Sequence, residues 1–102
     1  MRVLVTGAAG LLGSAFVSCG EREGLDVTGT TRSDLDVTDP AAVEDTVRAS
    51  GCDWVVHCAA YTAVDRAESE PDVARRVNAV GAGHVARAAV EAGAGMVYLS
   101  TD

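Results

Sequence analysis

The sequence predicts the α/β class, a doubly wound parallel sheet, on three observations. Short apolar runs alternate along the chain with longer stretches of helical periodicity, as successive βαβ units require. The opening run, Arg2-Val3-Leu4-Val5-Thr6, is apolar almost throughout, as suits a central parallel strand covered on both faces. It leads into a glycine-punctuated turn, Gly7-Ala8-Ala9-Gly10-Leu11-Leu12-Gly13, which opens an apolar helix.

The elements follow in order. Residues 2–6 form the first strand and residues 11–23 a helix with Leu11, Leu12, Ala15, Phe16 and Cys19 on a shared stripe, ended by Gly24. Residues 25–30 form a second strand whose weak apolar content places it nearer the sheet edge. Residues 33–37 read as a short strand. Thr38 or Asp39 then caps a helix over residues 41–50, with Pro40 in its first turn. The next strand, residues 53–60, runs into a small-residue turn, and a polar loop covers residues 61–71. A long helix spans residues 72–92 with Val73, Val77, Val80, His84, Val85, Ala88 and Ala89 on its apolar side. Gly93 and Gly95 punctuate the turn to a last, buried strand over residues 96–100. Right-handed crossovers then put the first strand at the switch point where such sheets bind ligands.

At 102 residues and 48% apolar content the chain holds one domain at most, with a single core. It stops at Asp102 directly after a strand, so residues 1–102 read as the first part of a longer protein. The formal net charge is −7 and all eight basic residues are arginine. Such a balance disfavours nucleic acid and anionic membrane surfaces as partners, because both demand clustered cations. Cys19, Cys52 and Cys58 lack the paired spacing of a metal or redox site and read as small buried hydrophobes, so no metal is expected. Met1-Arg2 leads straight into a strand and no apolar run reaches bilayer length, so a soluble, cytoplasmic chain is expected.

The glycine turn reads as a phosphate cradle. Gly7 suits the dihedrals of a tight turn, Gly10 leaves the backbone open to a pyrophosphate, and Gly13 lets helix and strand pack closely. The first N–H groups of the helix then face the anion with the positive end of its dipole. A purely structural glycine turn is the competing account. At the end of the second strand an acid would bond the ribose hydroxyls and repel a phosphate. Thr31 stands there with Arg32 beside it, which leans toward NADP, since arginine pairs with a 2′-phosphate; Arg32 as a solvated loop charge is the alternative. The Asp36 carboxylate, followed by Val37, lies where it can accept from an adenine amino group. Ala59, Ala60 and Tyr61 fall beside the glycine turn, while His57 reads as a hydrogen-bonded core residue. The carboxylates of the 61–71 loop lack the spacing of a calcium site. Asn78, a poor helix former, has another task, such as bonding the neighbouring strand or holding a water.

With these pieces in order the chain resembles the amino-terminal part of an extended short-chain dehydrogenase/reductase, and within that superfamily the dTDP-4-dehydrorhamnose reductase family. The resemblance is carried by Arg2 through Gly13, by Leu35-Asp36-Val37-Thr38-Asp39-Pro40, by Val77-Asn78-Ala79 and by Leu99-Ser100-Thr101-Asp102. Its most distinctive block is Cys58-Ala59-Ala60-Tyr61-Thr62-Ala63-Val64-Asp65-Arg66-Ala67-Glu68-Ser69-Glu70-Pro71. The resemblance implies a Rossmann fold holding NADPH or NADH. Gly10, Leu11 and Leu12 would present backbone groups to the pyrophosphate, Asp36 and Val37 would line the adenine, and Ala60, Tyr61 and Thr62 would run under the ribose and nicotinamide. Thr101 matches the family's catalytic Ser/Thr, which bonds the substrate carbonyl, and Asp102 adjoins the sugar nucleotide. The activity implied is reduction of the 4-keto group of dTDP-4-dehydro-L-rhamnose to dTDP-L-rhamnose, with a nucleotide-sugar substrate and a homodimer when full length. Two departures stand out. An acid is common in the family where Thr31 stands. The superfamily's proton donor, a tyrosine followed four residues later by lysine, is also absent, because the chain contains no lysine. The alternatives are a non-catalytic dinucleotide-binding subunit, resembling the β subunit of methionine adenosyltransferase, and another sugar-nucleotide enzyme such as an epimerase or dehydratase.

Overall fold

The first strand, β1 (Arg2–Thr6), buries Val3, Leu4, Val5 and Thr6 and pairs in parallel with a strand on each side. The computed structural model describes residues 1–58 and 71–99, and for 71–77 the backbone alone. Among the described residues β2 (Asp26–Thr30), β3 (Trp54–His57) and β4 (Gly95–Tyr98) complete a parallel sheet of order β2-β1-β3-β4. Helices α1 (Leu11–Arg22), α2 (Pro40–Ser50) and α3 (Pro71–Ala92) alternate with the strands, which is the predicted doubly wound class. The chain turns from β2 to the other side of β1, so strand order reverses between β1 and β3. Their carboxyl ends open the crevice where such sheets take ligands.

Because successive strand residues point to opposite faces, the sheet carries a core on each side. On one, Leu4 and Val55 pack with Leu35, Val43, Val47, Cys52, Val85, Ala88 and Ala89, under α2 and α3. On the other, Val3, Val5 and Val56 meet the partly buried Phe16 and Val17 of α1, Leu25 just before β2, and Val27 of β2.

Several expectations need correction. The buried line of α1 is Gly13 and Gly20 with Phe16 and Val17 half-buried, while Leu11 and Leu12 are 90% and 48% exposed. Period was legible but phase was not, because glycine carries no hydrophobic signal. A Cβ at Gly13 would lie 2.0 Å from the Gly7 carbonyl oxygen and one at Gly20 2.8 Å from Val27 Cγ2, so the helix approaches the sheet through its glycines. Residues 33–37 form turns and no strand: Asp34 and Asp36 bond the backbone and hydroxyls of Thr31 and Thr38, and these local bonds replace ladder pairing. Only Leu35 of that stretch is buried. Asp39 does cap α2, its Oδ1 accepting from Ala41 and Ala42 N–H at 3.1 and 3.2 Å.

On α3, Gly81, Val85, Ala88 and Ala89 are buried and His84 half-buried, but Val80 is exposed. β4 begins at Gly95 and is not the buried strand expected: it is an edge among the described strands, and Val97 and Tyr98 are exposed. Edge position also suits β2, whose only buried residue is Thr30. Of the cysteines Cys52 is buried and Cys58 half-buried, but Cys19 is exposed, on the outer side of α1; all three are free thiols.

His57 is the buried core histidine that its place in the strand predicts, with no exposed surface. Its Nδ1 lies 2.7 Å from Thr6 Oγ1, which also accepts from Cys58 N–H at 3.2 Å, and its ring meets Tyr98 with centroids 5.2 Å apart. Nε2 is buried without a partner among the described residues. Burial lowers the His57 pKa to about 4.

Two predictions follow from this packing. The folded chain resists protonation of His57 until about pH 4, whereas an unfolded histidine accepts a proton near 6.5. Stability from neutral His57 is therefore complete above about pH 6.5 and is lost as pH falls toward 4, by roughly 3 kcal/mol at the limit. Urea titrations at about pH 7.5 and about pH 5 measure the loss; His57→Gln should flatten that slope, and equal slopes in the two proteins would refute the assignment. Separately, Gly13→Ala forces a Cβ against backbone and should cost about 1–3 kcal/mol or more, as overpacking does. Gly20→Ala, which meets only a valine methyl, should cost less by the same titration.

Candidate functional site

The carboxyl end of β1 passes into the glycine turn through Gly7, whose φ of 69° is left-handed and favours glycine. Gly10 N–H closes the turn on the Gly7 carbonyl at 3.0 Å, and Ser14 N–H donates to the Gly10 carbonyl at 2.9 Å to close the first helical turn. The turn is also tied to β2: Ala8 N–H donates to the Thr30 carbonyl at 2.9 Å, and the Thr30 hydroxyl donates to the Val5 carbonyl at 3.3 Å. Gly29 makes room for this, since a Cβ there would lie 2.8 Å from that of Ala8.

Helix α1 starts from Gly10 with no side-chain cap and no acid in its first turn. Its positive end is thus left to whatever anion approaches. A side chain at Gly13 would fill the space against the Gly7 carbonyl, so the turn keeps its bare-backbone shape. These features fit a pyrophosphate, which would be met by backbone N–H groups of Leu11, Leu12 and Gly13; the Gly10 N–H, expected there with Leu11 and Leu12, donates instead to the Gly7 carbonyl.

Beside the turn, β2 ends at Thr30 and the chain folds into a clasp that joins the expected Thr31 to Asp34, an acid absent from the expected site residues. Thr31 N–H and its hydroxyl both donate to Asp34 Oδ2 at 3.0 Å. These two bonds, backbone first, hold the Asp34 carboxyl below its ordinary range. Asp36 Oδ1 accepts from the Thr38 hydroxyl at 2.6 Å and from Thr38 N–H at 2.9 Å. Its carboxyl is lowered mainly by those bonds, with a smaller contribution from the positive charge of Arg32. Both acids are exposed, so both stay ionised toward solvent.

Val37, expected against the adenine, is pinned to α3. Its carbonyl lies 3.0 Å from His84 Nδ1, and because a carbonyl only accepts, that nitrogen carries the proton. A Cβ at Gly81 would come within 2.7 Å of Val37 Cγ2, so the helix meets the loop at a glycine. The structure thus brings Gly7, Gly10, Leu11, Leu12 and Gly13 together on one turn, and places Thr31, Arg32, Asp36 and Val37 on the loop after the adjoining strand. Ala59, Ala60, Tyr61 and Thr62, and Thr101 and Asp102, lie outside the described residues. Sequence reading missed Asp34, Gly81 and His84. The Thr-x-x-Asp spacing is a signal for the first; the other two come from far along the chain and leave no local one.

Cys58, near this edge, is held as a thiol by burial, which pushes its pKa up. Among the described residues no group of three His, Cys, Asp or Glu side chains is placed to hold a metal. No helix of the described residues is long and apolar enough to cross a membrane.

The chain is similar to known proteins along its whole length. It is 48% identical over 101 residues to dTDP-4-dehydrorhamnose reductase of Mycobacterium tuberculosis, covering 99% of this chain and 33% of that protein. Among solved structures, dTDP-4-dehydrorhamnose reductase from Bacillus anthracis in complex with NADP is 40% identical with a TM-score of 0.87, over 97% of this chain and 36% of that one. The Thermus thermophilus UDP-glucose 4-epimerase complex with NAD is 29% identical with a TM-score of 0.88, over 99% of this chain and 38% of that one. The fold is therefore the Rossmann fold of these enzymes, and the chain spans about a third of the length of the curated relatives it matches. A family model described as the RmlD substrate binding domain matches residues 1–102, and the chain belongs to that family.

Proposed function

We propose that this chain is the amino-terminal, cofactor-binding part of one Rossmann domain in an NAD(P)-dependent reductase. Its reaction is reduction of the 4-keto group of dTDP-4-dehydro-L-rhamnose to dTDP-L-rhamnose. The observation that carries the reading is the uncapped α1 N-terminus behind a turn in which Gly13 has no room for a side chain, within a chain similar to reductases along its length. A bound reduced nicotinamide supplies the hydride. The chain's own residues bind and orient. N–H groups of Leu11, Leu12 and Gly13 meet the pyrophosphate, Asp36 and Val37 line the adenine, Ala59 adjoins the cofactor beside the glycine turn, and Ala60, Tyr61 and Thr62 run under the ribose and nicotinamide. The Thr101 hydroxyl donates to the substrate carbonyl, and Asp102 adjoins the sugar nucleotide. The proton donor comes from elsewhere in the protein, since the chain holds no lysine to complete a Tyr-x-x-x-Lys pair. The reading extends to a cytoplasmic homodimer.

The test is consumption of NADPH or NADH by the full-length protein in the presence of dTDP-4-dehydro-L-rhamnose, with turnover expected. Nucleotide binding without turnover on any nucleotide-linked keto sugar would instead favour a non-catalytic subunit, and turnover confined to another sugar would favour a sibling enzyme. Within the reductase, Thr101→Val should lower kcat about 100- to 1,000-fold, the loss typical of one hydrogen-bond donor to the reacting oxygen, and leave the cofactor Kd nearly unchanged. Parallel loss of both would remove Thr101 from that role.

A further inference from the structure

We propose that Asp34 sets the cofactor discrimination of this site: its carboxylate, folded back on Thr31 at the end of β2, stands beside the adenine ribose and disfavours a 2′-phosphate. The inference rests on the dinucleotide reading above. In dinucleotide folds an acid at the end of the second strand bonds the ribose hydroxyls and repels a phosphate there. The sequence has threonine at that position, which suggests that the acid is missing. The structure brings one in from three residues further on.

Three hydrogen bonds join the pair. Thr31 N–H and Oγ1 donate to Asp34 Oδ2 at 3.0 Å, and Asp34 N–H returns to the Thr31 carbonyl at 3.1 Å. The carboxylate is thereby fixed on the strand end while its charge remains exposed. The neighbouring cation does not cancel it. Arg32 lies close enough to Asp36 to lower that carboxyl, so its charge is shared with a second acid. The Asp34 carboxyl is held down by its two bonds from Thr31 and not by a neighbouring cation, and with Asp34 and Asp36 beside one arginine the loop as a whole is negative. Nor is the loop free to swing away from an incoming phosphate, because Val37 is bonded to His84 at 3.0 Å and packed on Gly81. A diol gains an acceptor at this place, whereas a 2′-phosphate meets like charge.

The experiment measures Kd for NADH and for NADPH by nicotinamide fluorescence on the full-length protein and on Asp34→Asn, Asp34→Glu and Arg32→Ala. Asparagine keeps an acceptor oxygen for Thr31 and removes the charge. Asp34→Asn should tighten NADPH relative to NADH by about 3- to 10-fold, the scale of one unit charge a few ångströms away in a solvated site. That gain should shrink as salt is raised, because exposed charges are screened. Asp34→Glu should keep the wild-type ratio, and Arg32→Ala should weaken NADPH more than NADH. A merely structural clasp would move both nucleotides together and without salt dependence. An unchanged NADPH/NADH ratio in Asp34→Asn, with both nucleotides bound, overturns the inference and leaves the dinucleotide reading standing. Failure of the wild-type protein to bind either nucleotide overturns both.

Discussion

The contact between α1 and the end of β1 governs the rest of the site. At Gly13 the helix lies so close to the Gly7 carbonyl that no side chain fits between them, and Gly7 itself takes a left-handed φ. These two constraints fix where the helix begins and which way its first N–H groups face. The close approach is offset by little hydrophobic gain on this helix, whose bulky Leu11 and Leu12 point away from the sheet. Its packing is thus organised for a short distance to backbone more than for apolar area.

A second layer of polar bonds holds the edges of the crevice. Thr6, Thr30 and Thr31 carry hydroxyls to His57, to the Val5 carbonyl and to Asp34 along the carboxyl ends of β1 and β2. The first two tie a strand end to its neighbour where ladder bonds stop, and the third ties the end of β2 to its own loop. On the far side Val37 is held by α3, so a loop that makes no ladder bonds is still positioned by a helix more than forty residues on, the His84 bond spanning 47 residues. The crevice is therefore rimmed by fixed dipoles and charges on a rigid sheet, the condition for orienting a ligand without reorganisation.

Fold class, strand order around β1 and the place of the glycine turn were legible from periodicity and glycine spacing, because parallel strands and βα turns leave local signatures. The start of α2, with its cap narrowed to Thr38 or Asp39, and the burial of His57 were legible for the same reason. What was not legible depended on distance or on silence in the pattern. Glycines on the inner face of α1 add no hydrophobic signal, so its stripe was placed on the wrong side. Residues 33–37 look like a strand by composition, yet Asp34 and Asp36 satisfy their backbone locally. The partnership of Val37 with Gly81 and His84 joins segments that no short window contains.

The central claim is that the backbone of the glycine turn meets the dinucleotide pyrophosphate. An amide-resolved NMR titration of the full-length protein with NADPH tests it most directly. The account predicts that the largest shifts fall on the N–H groups of Leu11, Leu12 and Gly13, with smaller ones at Thr31 and Val37. Shifts that leave this turn unmoved while the nucleotide binds would contradict it.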